Sequence, residues 1–511
     1  MKKILFFLAL FTAIGKANAQ KLEFNIEGLK DTTVFLAKYF GPKLYYADTV
    51  ESKNGKIVFD GSKQQGGLMA VVIPGPAYFE FLHDDEDVII NIADQKNLVG
   101  TLEVEKGDGN KAFYEYVNFM TVNQKALRAA VDARDGFDKD SKEYKKEQEK
   151  IEALNKEKLE FQKNIRSKNE GKFISTMIAM TMEIEIPDYP RDKDGNVLDS
   201  AYKYHYFINH YWDGVDFKDP KVVNTPIYHN KLDKFFSPKG VLQIPDTISY
   251  YADWMLGQMD QVDQTNKMFQ YTCHHITYKY ETSKIMGMDK VFWHMGVNYY
   301  CPKETTKAFW MSDENLDKMC ERVNKVGRTI IGNPAPMLIL TDSTEQNWIN
   351  SYEIDAEYTV LYFWDPNCGH CKKVTPKLQT LYDEKFKEYG VEIYAVGKAT
   401  GSDFEAWKKF IRDNGLTFIN VGLTKNIYND AMKDPRPLLE HTTLQSLNYS
   451  DTYDIYSTPR IFILDKDKKI VAKQLSIAQL EAIIDDLTGH EDAEKIFEDD
   501  PDAQEATDAD H

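Results

Sequence analysis

Tyr358-Thr359-Val360-Leu361-Tyr362-Phe363-Trp364-Asp365-Pro366-Asn367-Cys368-Gly369-His370-Cys371 is the stretch on which the reading of this chain turns. Its first half is a run of β-branched and aromatic residues, the composition of a buried strand. Two thiols follow, separated by two residues. A strand that ends in such a pair and then opens a helix is the setting of a redox-active dithiol. The first cysteine falls at the helix N-terminus, where unpaired backbone N–H groups and the helix dipole favour a thiolate. The second lies one helical turn on, where it can close an intramolecular disulfide and release a substrate. A structural zinc site would need two further ligands at recognisable spacing, and no second pair of this kind follows Cys371.

Downstream, Lys372 to Tyr389 has helical character, with Pro376 expected to kink it. Val391–Val396, Thr417–Val421 and Ile461–Asp465 read as strands, and Phe404–Asp413 as a helix. Lys469–Lys473 reads as an antiparallel partner behind the turn Lys466-Asp467-Lys468, and Ile477–Leu487 as a final helix closed by Gly489. Upstream, the breaker cluster Gly332-Asn333-Pro334-Ala335-Pro336 precedes a strand at Met337–Leu340. Residues 329–490 are therefore expected to form an α/β domain with one terminal hairpin.

The rest of the chain changes character twice. Residues 20–110 contain short β-prone runs (Leu22–Ile26, Val34–Tyr39, Ile57–Phe59, Met69–Ile73, Tyr78–Leu82, Val88–Ile92) separated by Gly, Asn and Asp turns, which predicts a small β-sandwich. Residues between Phe113 and Lys168 are rich in Lys, Glu, Ala, Leu and Gln, helical patterns return after the loop Pro187–Asn196, and 111–328 reads as a mostly helical domain. Met1-Lys2-Lys3, the apolar Ile4–Ile14 and the small-x-small Ala17-Asn18-Ala19 read as a cleavable signal peptide over 1–19. No cysteine lies near that cleavage point, so no lipid anchor is expected. Residues 491–511 carry ten acidic residues against Lys495 and read as a disordered acidic tail.

A net charge of −18 argues against nucleic acid or an anionic membrane as partner. The five cysteines are too few for a disulfide-stapled scaffold of 511 residues. Cys320, within a helical pattern, reads as a small buried apolar residue; Cys273 and Cys301 are left either as a bridge or as buried thiols. His274 and His275, being adjacent, point to different sides of a helix, so with His294 they read as packing residues and no metal is expected.

Residues 330–490 resemble the thioredoxin superfamily and, within it, the TlpA-like exported thiol-disulfide oxidoreductases. Gly332–Leu340, Phe363-Trp364, Cys368–Cys371, Pro376 and Ser457-Thr458-Pro459 carry the likeness. The long stretch between Cys371 and Pro459 fits the inserted element of TlpA-like members, and residues 1–330 are similar to the front half of large exported ones. The fold class implied is multidomain: an N-terminal β-sandwich, a central helical domain and a C-terminal α/β thioredoxin-like domain. The resemblance implies Cys368 as nucleophile and Cys371 as resolving thiol, together forming the redox-active disulfide. It implies Gly369, His370 and Trp364 as residues tuning the site, Phe363 and Trp364 packed beneath it, and Thr458-Pro459 as the cis-proline loop that binds substrate.

Three positions depart from the pattern. Tyr362 stands where thioredoxin has a buried carboxylate, with Glu384 or Glu392 as candidate substitutes; Asn367 stands where tryptophan is usual; and Gly369-His370 is the dipeptide of protein disulfide isomerases. A partly charged His370 is expected to stabilise the Cys368 thiolate and raise the reduction potential. The expected function is an exported, periplasmic thiol-disulfide oxidoreductase that reduces disulfides in exported proteins. A disulfide isomerase, or a non-enzymatic adaptor acting through its N-terminal domains, are the alternatives. No organic cofactor is implied. With no nucleotide-binding motif, electrons are expected from another dithiol protein, membrane-bound in this reading.

Overall fold

A computed structural model describes residues 20–75 and 77–498; the expected signal peptide and residues 499–511 of the acidic tail lie outside them. The described residues form two compact units: one up to Gln243 together with Asp253–Thr272, the other Ile244–Ala252 with Cys273 onward. Among the described residues no helix is long and apolar enough to cross a membrane.

The first unit opens with eight strands, β1 Lys21–Ile26, β2 Thr33–Phe40, β3 Lys43–Glu51, β4 Lys56–Asp60, β5 Gly67–Ile73, β6 Ala77–His83, β7 Val88–Ile92 and β8 Leu102–Lys106. They form two four-stranded sheets, β4-β1-β7-β8 and β3-β2-β5-β6. The reason is period-two patterning: Leu22, Phe24 and Ile26 on β1, with Phe79 and Phe81 on β6, are buried. Phe24 joins the sheets, its ring 4.9 Å from Phe81 and 6.4 Å from Phe59. β3 and β8 are edge strands with no fully buried side chain, so neither has the buried apolar row that marks the other strands. The turn before β4 needs positive φ at Asn54 and Gly55, and a Cβ on Gly55 would lie 2.3 Å from the Ile26 carbonyl oxygen.

Helices follow in this unit: α1 Asp108–Asp135, α2 Lys142–Lys168, α3 Phe173–Thr181, α4 Tyr202–His210 and α5 Pro226–Phe235. α1 protects the edge strand β6, because the Asn110 amide both accepts from the Leu82 N–H (2.8 Å) and donates to its carbonyl (2.7 Å). α6 Pro245–Gly257 and α7 Lys267–Glu281 are shared between the two units.

The second unit continues with α8 Asp289–Met295 and α9 Asp313–Arg328. Cys301 and Cys320 form a disulfide here, with an S–S distance of 2.01 Å. This corrects two expectations: Cys320 is not merely an apolar filler, and Cys301 does not bond to Cys273, which is a buried free thiol. The cause is a close approach that sequence spacing does not reveal. Gly296 lies so near α9 that a Cβ there would stand 2.2 Å from a Val323 methyl, which brings the neighbouring turns together.

A seven-stranded sheet then forms from β9 Ile339–Thr341, β10 Trp348–Asn350, β11 Tyr358–Trp364, β12 Val391–Gly397, β13 Ile419–Gly422, β14 Arg460–Asp465 and β15 Ile470–Lys473. Its order is β10-β9-β13-β12-β11-β14-β15, with β11, β12 and β13 parallel and β14 and β15 antiparallel. The central strand is continuously apolar because both its faces are covered. Val360, Tyr362 and Trp364 face a layer built with α10 Gly369–Leu381, α11 Asp403–Asp413 and α15 Ile477–Leu487, whereas Leu361 and Phe363 face the opposite layer with Tyr394, Tyr453 and Phe462. That opposite layer is covered in part by the insertion between β13 and β14, which holds α12 Lys425–Lys433, α13 Leu444–Leu447 and α14 Tyr449–Thr452. Pro376 lies inside α10, which continues past it to Leu381 and then runs into a π-helical turn over Tyr382–Phe386.

Residues 491–498, expected in the disordered tail, instead pack on α15. The N–H groups of Ile496 and Phe497 donate to Glu481 (2.7 and 3.0 Å), and Lys495 donates to Asp485 (2.7 Å). Both acids are fully buried, so they need such donors, and the Ile496-Phe497 pair supplies apolar contact with the core as well.

Candidate active site

β11 delivers the chain to the sheet's carboxyl end, and Cys368 becomes the N-cap of α10, with φ −69° and ψ 125°. The capping geometry turns the Cys371 N–H towards the Cys368 Sγ at 3.5 Å, as an N3 amide is turned towards any N-cap acceptor. Cys368 is partly exposed and Cys371 buried, and both are free thiols. On its other side, the Cys368 Sγ lies 3.4 Å from the Thr458 carbonyl oxygen. The Thr458–Pro459 peptide bond is cis.

The electrostatics divide the two thiols. Burial pushes Cys368 up, but N–H groups of Cys371 and His370, the neighbouring Cys371 thiol and the Thr458 contact together hold it below its ordinary value. Cys371 is pushed up to about 12 by burial, against one N–H bond from Asp365, whose nitrogen lies 3.5 Å from its sulfur. One thiol is thus set to ionise and the other to stay protonated.

His370 acts differently from expectation. Burial, and then Lys373 and Lys377, hold its imidazole below its ordinary value, so the ring is neutral at neutral pH. Its help to the Cys368 thiolate comes from its backbone N–H. The sequence shows the histidine between the thiols, with Lys373 and Lys377 beyond it, but not the burial that is the larger cause. Gly369, the first residue of α10, is exposed with nothing near its Cα to obstruct a partner.

Trp364 packs in the same layer as Cys371, beneath the dithiol. Phe363, paired with it in the sequence reading, points the other way, because successive strand residues alternate faces. Tyr362 is fully buried, and its hydroxyl meets Thr375 Oγ1 at 2.7 Å, which in turn donates to the Cys371 carbonyl at 2.8 Å. Burial holds that phenol well above its ordinary value, so it accepts no proton here. Neither Glu384 nor Glu392 replaces the missing carboxylate. Glu392 pairs in register with Thr359, at the far end of β11 from Cys368, and accepts from the Tyr382 hydroxyl at 3.0 Å. Glu384 lies in the π-turn beyond the far end of α10.

Sequence reasoning missed the charged group that is present. Asp365, directly after β11, pairs with Lys398 at 3.1 Å, and Lys398 also meets Asp403 at 3.4 Å. Asn367 completes the set, donating to Asp403 at 2.9 Å. Lys398 directly follows β12 as Asp365 follows β11, and the parallel pairing of Trp364 with Gly397 sets them side by side, a register that no local pattern in the sequence carries.

Residues 355–470 match a family described as thioredoxin-like. Residues 21–113 and 138–329 match two families described as domains of unknown function, DUF4369 and DUF5106. A comparison with curated proteins gave no match. Among solved structures, the chain is similar to a domain of a possible thiol-disulfide isomerase from Cytophaga hutchinsonii, at 34% identity over 32% of this chain and 94% of that one (TM-score 0.25). It is also similar to the thioredoxin domain of a thiol-disulfide oxidoreductase from Bacteroides vulgatus, at 27% identity over 31% and 97% (TM-score 0.25). A thioredoxin-like protein from Bacteroides caccae matches at 15% identity over 59% and 98% (TM-score 0.41). The family match lies over the strand, dithiol and sheet described above, and by it this chain is a thioredoxin-superfamily protein whose C-terminal domain carries a dithiol site of the thiol-disulfide oxidoreductase kind.

Proposed function

We propose that this protein is exported and reduces disulfide bonds in exported proteins. The observation that carries the reading is the unequal pair of thiols: Cys368 at a helix N-terminus with its acidity raised, and Cys371 buried behind it. Export is supported by the character of residues 1–19.

In the reaction, the Cys368 thiolate attacks one sulfur of a substrate disulfide. The substrate S–S bond breaks, a mixed disulfide forms, and the departing sulfur takes up a proton. Thr458 and Pro459 hold the substrate backbone beside the sulfur. Cys371 then loses its proton and attacks Cys368, which releases the second substrate thiol and leaves a Cys368–Cys371 disulfide. Two electrons have passed to the substrate, and a dithiol protein, membrane-bound in this proposal, must return them.

The test is trapping. With Cys371→Ser, a disulfide-bonded substrate should accumulate as a mixed disulfide on Cys368, visible without reductant and absent in the Cys368→Ser protein. Turnover retained by Cys368→Ser would exclude the mechanism. Isomerisation is a second reading, favoured by the extra N–H that His370 offers the thiolate. The potential of the pair decides between them: near about −270 mV for a reductase and near about −180 mV for an isomerase.

A further inference from the structure

α10 begins at the dithiol and carries three cations away from it. From Gly369 to Leu381 it holds Lys372, Lys373 and Lys377 and no acid. All three lysines are exposed, and among the described residues none has a carboxylate within ion-pairing distance. This runs against the rest of the chain, whose net charge is −18. It also runs against helix physics, because Lys373 and Lys377 stand four residues apart, where like charges repel. A local rule broken without compensation in the fold is expected at functional positions. We propose, on the oxidoreductase reading, that this face docks an acidic polypeptide segment, so that the preferred substrates are disulfides whose cysteine is flanked by Asp or Glu.

The geometry places these cations where a substrate chain must pass. Lys372 lies four residues beyond Cys368 and donates its N–H to the Cys368 carbonyl at 3.1 Å, so the two share one side of the helix. Gly369, Lys373 and Lys377 make the adjoining ridge. Gly369 is exposed, with open space where a Cβ would stand, so a chain joined to Cys368 can run over it. At about 1.5 Å per residue, Lys377 stands roughly 12 Å beyond Gly369. An extended substrate at about 3.3 Å per residue covers that distance in about four residues. The positive field already reaches the dithiol: after burial, Lys373 and Lys377 are what hold the His370 imidazole down. On the Asn367 side, Asp365 and Asp403 are both engaged by Lys398, at 3.1 and 3.4 Å. Lys377 lies over the Phe497 ring at 5.4 Å, a contact that places the ammonium without cancelling its charge. Carboxylates on an arriving chain are the groups these lysines can take up, and such complementarity acts chiefly on the rate of encounter.

The test uses the full chain and two nine-residue peptides, each with a central cysteine in a disulfide with 2-mercaptoethanol, a neutral thiol. One peptide carries glutamate and the other lysine at the same flanking positions. Each rate is divided by that with dithiothreitol, which removes the effect of the charges on the disulfide itself. At low salt the glutamate peptide should show the higher normalised kcat/KM by about tenfold, the scale of a few exposed ion pairs acting together. About 1 M salt, with a screening length of about 3 Å, should bring the ratio close to one. Lys372→Gln/Lys373→Gln/Lys377→Gln should lower the low-salt ratio by about threefold or more; comparing two peptides on one protein cancels any change in Cys368 reactivity. Lys466→Gln/Lys469→Gln, exposed positions on the turn beside the far end of β11, should leave the ratio unchanged. A ratio near one in the native protein at low salt, an unchanged ratio in the triple variant, or an equal fall in the double one overturns the inference while the oxidoreductase reading stands. So does a ratio near one that rises in Asp499→Asn/Asp500→Asn/Asp502→Asn, which would give the face to these acids of the chain itself. Reduction of neither peptide overturns both.

Discussion

At the residue scale, the site shows how backbone geometry sets thiol chemistry. Cys368 owes its acidity to amides at the start of α10, not to an ionised neighbour. His370→Ala should therefore leave the pH profile of Cys368 alkylation near that of the native protein. His370→Pro keeps the helix, since the first turn tolerates proline, but removes a donor to the thiolate. Its alkylation at neutral pH should slow by roughly tenfold, the worth of one hydrogen bond to a charged group. The reverse order would return the effect to the imidazole. The sign of the pH dependence follows from the same shifts. Because Cys368 is depressed, its alkylation should set in at lower pH than that of an ordinary thiol and fall away as pH drops through its own lowered value. Cys371, pushed up to about 12, should stay unreactive to iodoacetamide until strongly alkaline pH. Its raised value also means that its contribution to folding is full below the ordinary thiol value of about 8.5 and is lost as pH rises from there. Denaturation of the reduced protein should thus become easier in alkali, and Cys371→Ala should flatten that slope.

At the element scale, α15 is held by charge inside the core. Lys385 donates to Glu481 at 2.6 Å and to Asp485 at 3.0 Å, and both carboxylates are fully buried. Lys385→Met leaves two buried acids short of a donor, and such one-sided loss of a buried ion pair costs about 3–5 kcal/mol. The urea midpoint of the C-terminal transition should fall accordingly; a change within error would show that Lys495 and the 496–497 amides suffice. The strands, by contrast, were legible because composition alone marks a doubly covered strand such as β11. β10 escaped notice because three residues, each only partly buried, show no period.

At the scale of the whole chain, the Cys301–Cys320 disulfide closes a 19-residue separation with one end in α9, the helix whose cations meet the insertion. Opening a loop of this length should cost roughly 3 kcal/mol by the chain-entropy argument. The Cys301→Ser/Cys320→Ser protein should show that loss in chemical denaturation, and an unchanged midpoint would mean that packing alone holds the segment. Thiol titration in denaturant gives a companion count: three reactive thiols when the dithiol is reduced, Cys273 alone when it is oxidised.

The sequence by itself determined what depends on neighbours along the chain. It marked the strand, the paired thiols and the helix they open, the Thr458-Pro459 loop, and the change from β to helical to α/β composition. These follow from local periodicity and from chemistry that needs fixed spacing. Tertiary structure alone decided what depends on distant partners: that Cys320 meets Cys301, that Lys398 meets Asp365, that burial holds the His370 imidazole below its ordinary value, and which layer each of Phe363 and Trp364 faces. Side-chain charge and pairing are set by the field and the burial that the whole fold supplies, and no local pattern encodes them.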